Sequence, residues 1–200
     1  MSRSPLAVAR AVIRRANAWF HGFSGSLPLG SRVSRRRDGL TISDGFYASG
    51  PVWIECVDHY AGQNFSPEVL IDSSVRTSPR LHISAVASIH IGSGTLFGEN
   101  VFVSDHQHGA TSGEGQPSPS MPPALRPLGG AARVLIGMNC HFGNNVVVTP
   151  GVTIGDGSII GANSVVTRDI PPGVIAVGAP AVPIKRWDDV KREWVSVSFG

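Results

Sequence analysis

Between Ile136 and Thr167 the chain repeats itself every six residues, as IGMNCH, FGNNVV, VTPGVT, IGDGSI, IGANSV and VT. Ile136, Phe142, Val148, Ile154, Ile160 and Val166 open the blocks, so the first place is always large and apolar. The second place holds Gly137, Gly143, Gly155 and Gly161, with Thr149 and Thr167 in the other two. The fifth is small or apolar throughout: Cys140, Val146, Val152, Ser158, Ser164 and Ile170. A helix would repeat its apolar residues every ~3.6 positions and a half-buried strand every second one, so neither generates this pattern. A fixed period this short is the signature of a parallel β-helix. Each hexapeptide then supplies one strand and one corner, and three of them close a coil. Residues 18 apart should stack, Ile136 on Ile154, Phe142 on Ile160 and Val148 on Val166. Gly in the second place suits a corner where a side chain would crowd the backbone or where φ is positive.

The rest of the chain is read outward from that repeat. Residues 5–20 have apolar positions at helical spacing, Leu6, Ala9, Val12/Ile13, Ala16 and Phe20, with Ser4 placed to cap and Pro5 in the first turn. Residues 21–31 are rich in Gly, Ser and Pro and read as a linker. Short apolar segments from Val33 to Ile54 suggest irregular coils, and 55–68 an excursion. Ile91, Phe97 and Val103 resume the six-residue spacing, on which Ala85 also falls. Order stops at Ser104: residues 104–133 hold five Pro and five Gly without an apolar period, and Val103 and Ile136 are 33 residues apart, not a multiple of six. This reads as one long loop extruded from the solenoid, a length that in compact domains usually marks function or disorder. Residues 186–195 read as a short helix. The expected organisation is a basic helix and linker over 1–32, a β-helix over 33–184 with the loop at about 104–133, and a C-terminal helix or tail over 185–200. The two terminal helices are candidate caps for the ends of the solenoid.

Composition narrows the function classes. The 24 Gly and 15 Pro among 200 residues argue for many tight turns and against a helical bundle. No apolar run is long enough to cross a bilayer as a helix. The N-terminal apolar residues are interrupted by Arg10, Arg14 and Arg15, unlike a secretory signal. Cys56 and Cys140 are the only cysteines, which gives no disulfide framework and points to a reducing, cytoplasmic setting. The charge is uneven: the first 37 residues carry eight Arg and no acid. That end is a solvated face or one attracted to an anionic membrane or polyanion; an organelle transit peptide shares the Arg-rich, acid-poor composition, but here the arginines continue past a plausible cleavage point. It lacks regularly interleaved aromatics, so nucleic acid is not an expected partner.

IGMNCHFGNNVVVTPGVTIGDGSIIGANSVVTRDIPPGVIAVGAPAVPIKRW closely resembles the C-terminal half of the hexapeptide-repeat acyltransferases. GFYASGPVWIE, FSPEVLI, FVSDHQHG and PPALRPL extend the resemblance over roughly residues 38–187 and make the chain look most like the O-acetyltransferases of lipopolysaccharide O-antigen and capsule synthesis. The resemblance implies an all-β, left-handed parallel β-helix, an exception to the right-handed crossover preference. It also implies a homotrimer with sites at subunit interfaces, acetyl-CoA as co-substrate, and a sugar or glycan acceptor.

Val103-Ser104-Asp105-His106-Gln107-His108-Gly109 carries the most chemistry, where regular coils give way to the loop. A sugar hydroxyl attacking a thioester needs a base, and an imidazole can take its proton and then protonate the departing thiolate. By resemblance that base is His106. His108 shares its facing on an extended segment and would line the acceptor site with Asp105. Asp105 could orient the imidazole, but adjacent side chains on such a segment point to opposite faces, so a direct Asp105–His106 pair is not expected. Asp and His here also admit a metal reading, as in the gamma-type carbonic anhydrases; the C-terminal segment instead resembles a coenzyme A-binding end, and no metal is expected. The residues matching the family's coenzyme A groove are Gly143, Asn144, Gly161, Ala162, Thr167, Arg168 and Lys185, with Arg168 and Lys185 as candidate phosphate partners. His141 stands where relatives usually carry Trp, and is expected near cofactor or acceptor. The reading is an O-acetyltransferase of surface polysaccharide; the alternatives are an acetyltransferase of another small acceptor (an amino sugar, an antibiotic or an amino acid) and a non-catalytic scaffold. The basic N-terminus leaves peripheral contact with the inner membrane open.

Overall fold

The computed structural model describes residues 4–34 and 38–197. Arg3 and Arg35 to Arg37, half of the basic N-terminal cluster, lie outside the described residues.

The six-residue period becomes three parallel sheets wound into a left-handed β-helix. Sheet A contains Phe46–Ala48, Arg76–Thr77, Leu96–Phe97, His141–Phe142 and Ile159–Ile160 in that order. Sheet B contains Trp53–Cys56, His82–Ala85, Phe102–Ser104, Val147–Val148 and Val165–Val166. Sheet C contains Leu40–Ile42, Glu68–Ile71, Ser88–Ile91, Val134–Ile136 and Thr153–Ile154. The chain runs A, B, C in every coil. Ile136 pairs with Ile154, Phe142 with Ile160 and Val148 with Val166, so residues 18 apart do stack. All first-place residues are fully buried, and so is every fifth-place residue to within a few per cent. Ser158 and Ser164 tolerate that burial because each is hydrogen-bonded, Ser158 donating to the Pro171 carbonyl and Ser164 accepting from Gly178 N. Phe97 and Phe142 stack inside sheet A at 4.8 Å between ring centroids.

The corners divide two tasks between two places. The second-place glycines serve close approach: a Cβ on Gly143 would lie 2.5 Å from Ala162 N on the next coil. Positive φ falls instead on the fourth place, at Asn139, Asn145, Gly151, Gly157 and Asn163. Asparagine tolerates this conformation better than other residues with a Cβ. Here it also forms a ladder, Asn100 donating to Asn145 and Asn145 to Asn163, each at 3.0 Å.

Two expectations are corrected. Residues 21–31 are more than linker: Gly25–Ser26 pairs with Phe46–Tyr47 in sheet A, and Phe23 and Leu27 are buried, so the solenoid starts inside the stretch. Residues 186–195 form no helix. Ala181–Asp188 and Glu193–Ser196 make an antiparallel hairpin on the end of sheet A, with Trp187 against Trp194. Asp188 Oδ1 accepts from Val190 N and Lys191 N and closes the turn, a local bond that competes with helix. The N-terminal helix spans Pro5–Phe20 with Ser4 as its cap, as expected, but its apolar stripe does not face the coils. It packs through Ala11, Arg14, Asn17 and Ala18.

Both excursions leave from the corner between sheets B and C. The shorter folds into a hairpin, His59–Tyr60 with Gln63–Asn64. The longer one, after Ser104, closes by pairing Gln107–His108 with Leu128–Gly129 before the chain re-enters sheet C at Val134.

Candidate active site

Strand Phe102–Ser104 ends at the B–C corner, and Asp105 is the bend that follows it. The alternation of facing therefore fails one residue after the strand. Asp105 and His106 turn toward each other, with His106 Nδ1 3.0 Å from Asp105 Oδ1. This overturns the expectation that the pair would not form. It also removes Asp105 from the acceptor site: its side chain is 0% exposed, and Val86 N and Ala87 N of the preceding coil donate to its two oxygens at 2.9 and 2.8 Å. The coil period explains the contact, because Ala87 lies 18 residues before Asp105.

The consequence for His106 is a defined proton arrangement. A carboxylate with two backbone donors already on it accepts a further hydrogen from Nδ1, which leaves Nε2 with the lone pair. Ser104 fixes the ring's backbone, its Oγ donating to the His106 carbonyl at 2.9 Å and accepting from His106 N at 3.3 Å. The His106 side chain is 10% exposed, enough to reach a ligand at the corner while the rest of the ring is enclosed. Such an imidazole can take a proton from a hydroxyl and return it to a leaving group.

His108 is exposed on the extruded loop. Its ring meets Tyr60 edge-on at 5.2 Å, and Tyr60 Oη lies 3.3 Å from His108 Nδ1 while donating to the Ala124 carbonyl at 2.9 Å. Gln63 adds a two-point clasp on Leu128, Nε2 donating to its carbonyl at 3.1 Å and Oε1 accepting from its N–H at 2.7 Å. Sequence reasoning missed Ser104, Tyr60 and Gln63. Ser104 was legible as the last strand residue before the base; the other two depend on two excursions leaning together, which no period encodes.

The expected cofactor residues do not form one cluster within the chain. Gly143 and Asn144 follow a sheet A strand at the A–B corner, and Gly161 and Ala162 stack beside them one coil on. His141 points outward from sheet A between Leu96 and Ile159. Thr167 and Arg168 lie at the B–C corner, two coils beyond His106, both exposed. Lys185 pairs with Ile175 at the end of sheet A. Gly143 N donates to Ile160 O and Gly161 N to Ala176 O, so these two amides are engaged within the coils, and Asn144 Oδ1 accepts from Glu99 N. The corner itself is built of small residues, Gly143, Gly161 and Ala162. Among the described residues no group of three His, Cys, Asp or Glu side chains is placed to hold a metal ion.

A buried carboxylate–imidazole pair at one corner of a hexapeptide β-helix, with small residues at the corner across sheet B, is an arrangement suited to acyl transfer. Residues 133–168 match the model of the bacterial transferase hexapeptide (six repeats). The chain is 30% identical over 172 residues to the galactoside O-acetyltransferase of Escherichia coli (strain K12), covering 80% of this chain and 83% of that protein. It therefore belongs to the bacterial hexapeptide-repeat transferases, in their acetyltransferase branch. It is also 37% identical over 127 residues to WbbJ of the same strain, whose name assigns it to lipopolysaccharide biosynthesis as an O-acetyl transferase. That match takes in 63% of this chain and 64% of WbbJ, just under two thirds of the relative's length. Among solved structures, galactoside acetyltransferase in complex with coenzyme A superposes with a TM-score of 0.52 at 28% identity, over 77% of this chain and 74% of that one.

Proposed function

We propose that the protein transfers the acetyl group of acetyl-CoA to a sugar hydroxyl during assembly of lipopolysaccharide or capsule, on the cytoplasmic side of the inner membrane. The observation that carries this reading is the buried Asp105 carboxylate on His106 Nδ1. It fixes the tautomer in which Nε2 is the base and stabilises the imidazolium that forms. Nε2 takes the proton of the acceptor hydroxyl as its oxygen bonds to the thioester carbonyl carbon. When the C–S bond breaks, the imidazolium gives that proton to the thiolate of coenzyme A. No acyl-enzyme is required. The likeness to the galactoside enzyme and to WbbJ supports a hydroxyl of a sugar as the acceptor.

The same reading makes the protein a homotrimer. The base lies at one edge of sheet B and the side-chain-poor corner at the other. A second copy that set its A–B corner against the first copy's B–C corner would complete a groove, with Lys185 from one copy and Thr167 and Arg168 from the next. The outer face of sheet B suits burial at such a contact: Trp53, Phe102, Val147 and Val165 line it. Transfer to a soluble galactoside or to isolated glycan, followed by mass spectrometry, tests the activity. His106→Ala should lower kcat by ~10²–10⁴ with the fold intact; equal rates in the two proteins would sink the mechanism.

A further inference from the structure

Helix Pro5–Phe20 meets the solenoid through one narrow face. Ala18 is fully buried, Asn17 donates to the carbonyls of Leu27 and Pro28 at 3.1 Å each, and Leu27 N donates to the Arg14 carbonyl. At roughly 100° per residue, Leu6, Ala9, Val12, Ile13, Ala16 and Phe20 fill a sector about 120° wide centred opposite Ala18. All six are exposed, Leu6 and Val12 to 61% and Phe20 to 73%. Asn17 and then Arg10 border the sector on one side; Trp19, 80% exposed, and Arg15 border it on the other. This is an apolar stripe aimed directly away from the body of the protein and flanked by cations.

The charge decides what covers it. No acid occurs in the first 37 residues, so a second copy laid on this face would bring arginine against arginine. An anionic bilayer surface meets both features at once: the stripe enters the boundary of the acyl chains, Arg10 and Arg15 lie among phosphates, and the Trp19 ring sits at headgroup level. We propose that this helix docks the protein on an anionic phospholipid surface, stripe inward. The docking goes beyond acetyl transfer and does not depend on it. Its effect is to hold the β-helix where acceptors carried on lipid are found.

Cosedimentation of the full chain with vesicles tests this, using phosphatidylcholine alone and phosphatidylcholine mixed with phosphatidylglycerol. Binding is expected to the mixed vesicles. Ile13→Asp should lower the partition coefficient at least ~tenfold by placing a charge in the buried stripe. Phe20→Ser, a milder change, should lower it severalfold, and Arg10→Glu with Arg15→Glu about tenfold or more. Val190→Asp, at an apolar residue 94% exposed in the C-terminal turn, should bind as wild type. The proposal is overturned if wild type ignores the mixed vesicles, or if Ile13→Asp and Phe20→Ser bind them undiminished. It is also overturned if these two variants lose self-association in sizing while vesicle binding stays unchanged, for then a second copy covers the stripe. Acetyl transfer to a soluble sugar, run on the same samples, should match wild type in all of these variants, which separates failure of docking from failure of the proposed reaction.

Discussion

In the proposed mechanism the chemistry turns on Asp105, whose two oxygens serve three donors at once: Val86 N, Ala87 N and His106 Nδ1. Asp105→Asn replaces one acceptor oxygen by an NH2, which must face one of those donors. The loss of pairing in a buried place should cost about 1–3 kcal/mol of stability. The imidazole would also lose the acceptor that selects its tautomer, and kcat should fall by about 10²–10⁴ with little change in the KM for acetyl-CoA. Thermal unfolding and steady-state kinetics check the two effects separately, and a variant with unchanged kcat would remove Asp105 from the mechanism. The cysteines make a second prediction at this scale. Burial pushes the Cys56 thiol up from 9.0 to about 11 and raises that of Cys140. The folded state then keeps its proton to higher pH than the unfolded chain does. Each such thiol therefore adds a loss of stability as pH rises, and for Cys56 that window runs from about 9 to about 11. Denaturant midpoints across that range should fall less steeply in Cys56→Ala than in wild type.

Elements tell the same story one level up, and they show what the period could and could not reveal. Residues 136–170 were legible to the single residue, because burial of every first and fifth place follows from six residues per side of a coil. The fourth-place turn is less legible, because Asn139, Asn145 and Asn163 share it with two glycines while four glycines occupy the second place, where φ is not positive. Asn163→Ala should cost about 1–2 kcal/mol for a left-handed φ plus about 1 for the lost bond to Asn145, whereas Asn163→Gly should cost mainly the second term. Chemical denaturation of both variants would show whether φ or the ladder matters more. His106 was legible through resemblance and its place at the loop. Its partner was not, because strand alternation was extended one residue too far, past the bend. The C-terminal hairpin is not legible in RWDDVKREWV, whose charge pattern suits a helix, because Asp188 turns the chain first. Lastly, the clasp of the short hairpin on the long loop depends on Gln63. Gln63→Ala strips both bonds from buried Leu128 and should free residues 105–133. Limited proteolysis should then cut within that loop roughly 5–30-fold faster, the equivalent of about 1–2 kcal/mol of local opening.

At the scale of the whole molecule, His106 and Ala162 lie at opposite edges of sheet B, and no rearrangement within a packed solenoid brings two corners together. In the proposed trimer a ring of three copies would do so, each B–C corner meeting the next copy's A–B corner in a contact that closes by rotation. Two defective proteins then carry complementary lesions. His106→Ala removes the base; Ala162→Trp, at an exposed corner, fills the groove without disturbing the core. A working groove needs an intact His106 from one copy and an intact Ala162 from its neighbour. In trimers assembled at random from equal amounts of the two variants, each requirement is met half the time, so roughly a quarter of the grooves should be whole. Coexpressed variants should therefore recover close to that fraction of wild-type acetyl transfer, while either variant alone stays inactive. A groove built within single chains would recover nothing on mixing, however complete the assembly. Sizing of the mixed sample establishes that heterotrimers formed, and the activity then reports which corners face each other.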